Sequence, residues 1–95
     1  MPAYLIADIT VHDLAGFEEY RKQVPATIAA YGGRYIVRGG SSEVVEGDWQ
    51  PKRLVMVEFP SMARAKQWYA SAEYQALLPL RTKASTGNAI FVDGV

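Results

Sequence analysis

Two of the ten carboxylates, the one imidazole, a few tyrosines and a few arginines stand in this sequence where they could move protons or hold an anion. Asp8 and Glu58 each sit in a β-rich segment, and Arg34 opens a third. If the two acids lie side by side and an antiparallel neighbour returns the guanidinium to them, one carboxyl is expected to rise in pKa and act as a general base. The same three residues can also form an ion-pair network that fixes how two sheets register across a dimer. His12 follows the first β segment, where a ligand cleft often opens; an imidazole there suits acid–base work near neutral pH or is simply solvated. Tyr20 is a further proton carrier, and Arg34 or Arg38 can hold an anionic ligand. Tyr20, Tyr31, Trp68, Tyr69 and Tyr74 can line a pocket for a flat organic molecule, although at helical spacing the same rings can fill a core.

Other chemistries find little to work with. Cysteine is absent, which removes disulfides, thiolate metal sites and thiol redox chemistry. With one histidine, no metal site is expected, and no cofactor fingerprint is present. Gly32-Gly33-Arg34 and Arg38-Gly39-Gly40 place basic residues beside glycines, but neither matches a phosphate loop or precedes a helix, so they read as a helix end and a bulge. A free amine at Pro2, were Met1 removed, would be a candidate base; the alternative is a proline that begins an edge strand. Ten basic residues balance ten acidic ones, which leaves no electrostatic footprint for nucleic acid or an anionic membrane. No apolar run approaches the roughly 20 residues of a membrane span, and a cytoplasmic address is expected.

The elements that must position these groups follow from periodicity. Ala3 to Thr10 reads as a strand, and Asp13 can cap the helix after it. Leu14, Phe17, Tyr20, Val24, Ile28 and Tyr31 then form one helical stripe that Gly32-Gly33 ends. Pro25 lies inside it, where a lost N–H and a ring clash cost about 3 kcal/mol, so a bend or restart is expected there. Arg34 to Arg38 alternates as a second strand, with a bulge expected at Gly39-Gly40, a short extension through Glu43, Val44 and Val45, and a turn over Glu46-Gly47-Asp48-Trp49. Trp49 reads as a dimer or loop anchor. Arg53 to Phe59 is the clearest strand; Pro60-Ser61 stops it and caps a helix carrying Ala65, Trp68 and Tyr69. A further helical piece starts after Ser71, is expected to break at Pro79, and leads through Thr86-Gly87 to a last strand over Asn88 to Asp93.

At 95 residues this makes one domain, residues 1–95. The order β, α, β, β, α, β predicts a ferredoxin-like α+β fold, a four-stranded antiparallel sheet with its helices on one face. Taken with strands one and three as parallel central neighbours, that plan brings Asp8 and Glu58 together. Parity assigns Leu5, Ala7, Ile9, Val55, Val57, Phe59, Ile90 and Val92 to the helix-covered face. Tyr4, Ile6, Leu54, Met56, Ile36 and Phe91 fall on the other, an apolar patch too large to leave wet. Packing it against its twin gives a homodimer with two-fold symmetry and a closed α+β barrel.

Several segments in this order also resemble a known family: Tyr31-Gly32-Gly33-Arg34, Arg38-Gly39-Gly40, Glu46-Gly47-Asp48-Trp49 with Pro51 and Arg53, Glu58-Phe59-Pro60-Ser61, Trp68-Tyr69, and Ser71 with Glu73-Tyr74 and Arg81. Over its whole length the chain resembles domain of unknown function 1330, of the dimeric α+β-barrel superfamily. The resemblance implies the ferredoxin-like dimer and no agreed activity; superfamily relatives include cofactor-free monooxygenases of aromatic polyketides, haem-degrading enzymes and lactone isomerases. It also makes a cleft between sheet and helices a place to look, and from the residues themselves Tyr69 is expected to bind a ligand together with Arg34 and Arg38. Two function classes follow. One is a cofactor-free enzyme acting on a small organic acid or aromatic metabolite, with Asp8, Glu58, His12 or Tyr20 handling protons. The other is a non-catalytic dimer that binds a small ligand or a protein.

Overall fold

The computed structural model describes residues 1–95. Its elements are β1 (Ala3–Val11), α1 (Leu14–Ala30), β2 (Arg34–Arg38), β3 (Leu54–Phe59), α2 (Met62–Ala70), α3 (Ala72–Ala84) and β4 (Ser85–Asp93). The strands form one four-stranded antiparallel sheet in the order β2-β3-β1-β4, the ferredoxin-like plan expected from the sequence. No helix is long and apolar enough to cross a membrane.

Serine and aspartate set the helix starts. Asp13 accepts from the Gly16 N–H, Ser61 from that of Arg64 and Ser71 from that of Tyr74, each at 3.2 Å, satisfying donors that the first turn leaves free. The Ser71 hydroxyl also donates to the Trp68 carbonyl at 2.7 Å, so one residue ends α2 and starts α3. Neither proline breaks its helix. Pro25 removes the donor that would have met the Arg21 carbonyl one turn earlier, and the Arg38 guanidinium takes its place at 3.4 Å.

Four details differ from the sequence reading. β1 and β3 are antiparallel, because the α1 crossover makes β1 and β2 the parallel pair and the returning β3 lies between them. The bulge lies between Tyr35 and Val37, not at Gly39-Gly40. No strand extension forms over Glu43 to Val45; Gly39 to Arg53 is a long connection. β4 starts at Ser85, and its parity is opposite to that expected: Leu5 pairs with Phe91 and Ile6 with Ile90, so Phe91 faces the helices and Ile90 the open side.

The core lies between sheet and helices, with Trp68, Tyr74, Phe59 and Val57 fully buried. The Trp68 ring stacks tilted on Tyr74 at 4.1 Å and on Phe59 at 5.4 Å, and its indole N–H donates to the Thr27 hydroxyl at 3.0 Å. Trp68→Ala is expected to cost about 3–5 kcal/mol through the cavity it leaves. Trp49, which is 62% exposed, should lose under about 1 kcal/mol on the same change. Urea unfolding of both variants measures the contrast, and equal losses would contradict this placement of the core.

Candidate functional site

The antiparallel β1–β3 pairing separates the expected acid pair. Asp8 stands opposite Leu54 and Glu58 opposite Tyr4, so four strand positions divide them, roughly 13–14 Å at about 3.4 Å each. They share the open sheet face but occupy its two ends, so the expected three-residue cluster does not form. Glu58 takes only the Arg34 part of it. The Arg34 Nε donates to Glu58 Oε1 at 2.7 Å and the Tyr4 hydroxyl to Oε2 at 3.3 Å. Arg34, then Tyr4, holds Glu58 below the usual carboxylate range.

Asp8 works on the loop instead. Its carboxylate accepts from the Trp49 indole N–H and the Lys52 backbone N–H, both at 2.9 Å, and these bonds lower its pKa. Trp49 is thus an anchor of the Gly39–Arg53 loop. Both acids are held ionised, the opposite of the raised value that a general base near neutral pH needs. His12 is exposed beyond β1, with its backbone N–H on the Ala84 carbonyl at 2.9 Å. Pro2 precedes β1, and its carbonyl accepts from Gly94 at 2.8 Å. It borders a shallow depression of about 310 Å³ beside Arg34 and Glu58.

The enclosed site lies on the other face. A cleft between the sheet and α1, α2 and α3 holds about 60 Å³, and 14 of its 18 lining residues are hydrophobic. Tyr20, Arg38 and Tyr69 line it; Asp8, Glu58, His12 and Arg34 do not. Tyr69 is 38% exposed and packs edge-on against Phe91 at 6.1 Å, at the mouth. Ligand pockets commonly measure roughly 300–1,000 Å³, so this cleft takes an organic molecule only if side chains such as Tyr69 swing outward.

Arg38 reaches the cleft because of the bulge. Strict alternation would put it on Arg34's face; the extra residue pairs Arg38 with Val55, a helix-side position. There it lies 4.5 Å over the Tyr35 ring. Sequence reading missed Arg21, Tyr35, Arg53 and Arg81, which also line the cleft. Arg53 carried a usable signal, since it shares the parity of Val55, Val57 and Phe59 and is a charge on a buried face.

Of the four arginines, only Arg21 has a carboxylate partner, Glu18, which accepts from its Nε and Nη2 at 3.0 Å. Arg38, Arg53 and Arg81 make no ion pair. Arg53 lies 5.6 Å over the Phe17 ring, and its buried Nε has no hydrogen-bond partner. A Cβ added at Gly39 would come within 2.5 Å of the Arg53 guanidinium, so the glycine, at φ 73°, leaves room for its seat. Deeper in, the Tyr20 and Tyr74 hydroxyls share a hydrogen bond of 2.9 Å.

A family model matches residues 2–95, that of domain of unknown function DUF1330. The chain belongs to the DUF1330 family. No curated protein matches it in sequence. Solved structures share the fold at low identity. RPA0582, a protein of unknown function from Rhodopseudomonas palustris, is 14% identical with a TM-score of 0.79, over 99% of this chain and 82% of its own. SnoaB from Streptomyces nogalater, described as a cofactor-independent oxygenase, is 13% identical with a TM-score of 0.68, over 99% and 93%. HapK from Hahella chejuensis is 15% identical with a TM-score of 0.62, over 98% and 92%.

Burial, reinforced by Tyr74, pushes the Tyr20 phenol far above its usual value of 10.0, and burial also raises Tyr35. The unfolded phenols ionise above about pH 10 while the folded ones stay neutral, so stability is intact below that pH and falls as pH rises past it. The unfolding free energy from urea titrations is expected to drop between about pH 9 and about pH 11, by at most about 1.4 kcal/mol per pH unit for each tyrosine. Tyr20→Phe should make that loss shallower; an unchanged slope would contradict the buried placement of Tyr20.

Proposed function

We propose that this DUF1330 protein binds a small organic acid or aromatic metabolite in the cleft between sheet and helices. The observation that carries the reading is an apolar cavity walled by aromatic rings and bordered by three arginines that form no ion pair with a carboxylate of the chain. Apolar walls with a few convergent polar groups are the common composition of small-molecule sites. In this reading Arg38 and Tyr69 hold the ligand, and Tyr20 lines the cleft as a hydrogen-bonding group instead of a proton carrier. For Asp8 and Glu58 the geometry favours structure over catalysis, and His12 has no part in this cleft.

A second reading, a cofactor-free reaction on the bound molecule, is favoured by the Tyr20–Tyr74 hydroxyl pair inside the cleft. SnoaB and a protein described as an antibiotic biosynthesis monooxygenase share the fold, which fits this reading without assigning a substrate. With Tyr20 held neutral, its part there would be a donated hydrogen bond rather than proton abstraction.

The same reading makes the protein a homodimer through the open sheet face. Ile36, Ile90 and Val92 are 41%, 58% and 39% exposed there beside half-buried Ile6, Leu54 and Met56, an apolar surface with no cover in the chain. Sedimentation equilibrium at micromolar concentration should give twice the chain mass, and Met56→Asp should abolish that dimer by placing an unpaired charge at its centre. A monomeric wild type would contradict the assembly.

For the cleft, a thermal-shift screen of aromatic carboxylates is expected to find a stabilising ligand. At about 100 times Kd the gain is about 2.7 kcal/mol, or roughly 10–20 °C for a domain of this size. Ala89→Phe, a change at an exposed residue of the cleft lining, should abolish the shift while the apo protein melts as before. A shift that survives Ala89→Phe would place binding elsewhere.

A further inference from the structure

Building on the cleft reading, we infer that the ligand is an aromatic carboxylate with a second acceptor oxygen, its carboxylate held by Arg38 and Arg53 and its far oxygen by the Tyr20–Tyr74 pair. A census of donors and acceptors leads there. The polar side chains lining the cleft are arginines and tyrosines, with one tryptophan whose N–H is already spent on Thr27. Guanidinium groups only donate, and no carboxylate, imidazole or side-chain amide lines the cavity. The wall is therefore rich in donors and poor in acceptors, and its complement is a molecule with acceptors at matching places.

Those places lie at two ends. At the first, Arg53 lies over Phe17 with its buried Nε unpartnered, and Arg38 lies over Tyr35 on the neighbouring strand. Arg38 and Arg53 bring two positive charges to this end, and neither forms an ion pair; Glu18 pairs with Arg21. A carboxylate supplies both the missing charge and the acceptor that Nε lacks, through the paired oxygens a guanidinium fork fits.

At the second end, two hydroxyls share one hydrogen bond, which uses one of their two protons. Arg81, on the Tyr74 side of the pair, can donate to it but cannot accept. One tyrosine O–H is thus left to donate, and a carbonyl, phenol or ether oxygen completes it. The Phe17 ring beneath Arg53 and the Tyr20 ring that carries the second end are neighbours, 5.8 Å apart, and we take an aromatic ring as the spacer between the two ends of the ligand. Rings on the wall offer edge and face contacts to such a ring.

Isothermal titration of the intact protein with three probes tests this. 4-Acetylbenzoate carries both groups, 4-acetylbenzamide replaces the charged end with a neutral one, and 4-isopropylbenzoate removes the far oxygen. 4-Acetylbenzoate is expected to bind at least about tenfold tighter than either of the others. Arg53→Met, or Arg38→Met should the first not fold, should bring the acetylbenzoate down to the affinity of the amide. Tyr20→Phe with Tyr74→Phe should bring it down to that of the isopropyl compound. Arg34→Met, on the opposite face, should change none of these. Equal affinity for acid and amide overturns the carboxylate assignment, and equal affinity for the acetyl and isopropyl acids overturns the second oxygen; in both cases the cleft still binds arenes and the broader reading stands. Binding of none of the three overturns both.

Discussion

The antiparallel register of β1 on β3 is the constraint on which the rest depends. Pairing Ala3 with Phe59 and Ala7 with Val55 puts the odd-numbered residues of both strands beneath the helices and the even-numbered ones on the open face. A slip of one residue would exchange the two sets and drive Glu58 and Asp8 into the core, at the cost of burying charge. The buried side chains of Val57 and Phe59 oppose that slip from one side, and the Arg34–Glu58 and Trp49–Asp8 bonds oppose it from the other. Glu58 therefore ties β3 to β2, and Asp8 ties the loop after β2 to β1.

Against that regular frame, one irregularity shapes the site. The bulge between Tyr35 and Val37 carries Arg38 through the plane of the sheet to the helix side, and the carbonyl freed by Pro25 accepts from it there. Sheet and helix each break a local rule, and the two departures meet in one hydrogen bond. Functional positions are where such departures are expected, and without the bulge Arg38 would stand on the open face with Arg34.

Much of this was legible in the sequence. Element order, helix caps and the apolar stripe of α1 follow from local patterns, and the fold follows from their order. Strand direction was harder, because nothing local to Asp8 or Glu58 says whether β1 and β3 run together or opposed; the crossover decides it. Arg38's face was hidden by a bulge with no glycine to mark it. Phe91 was misplaced because β4 begins three residues before the expected strand, and parity carried over from β1 without a pairing register has no meaning. Arg53 was readable, since a charge at a buried parity either finds a partner in the chain or waits for one outside it.

The account rests on Arg53 as the polar anchor of the cleft, and its Nε–H can be watched directly. In an NMR titration with 4-acetylbenzoate, following the arginine Nε–Hε signals, the Arg53 resonance is expected to shift downfield and become protected from exchange, while that of Arg34 stays in place with its Glu58 partner. A titration that moves Arg34 and leaves Arg53 untouched would contradict the account.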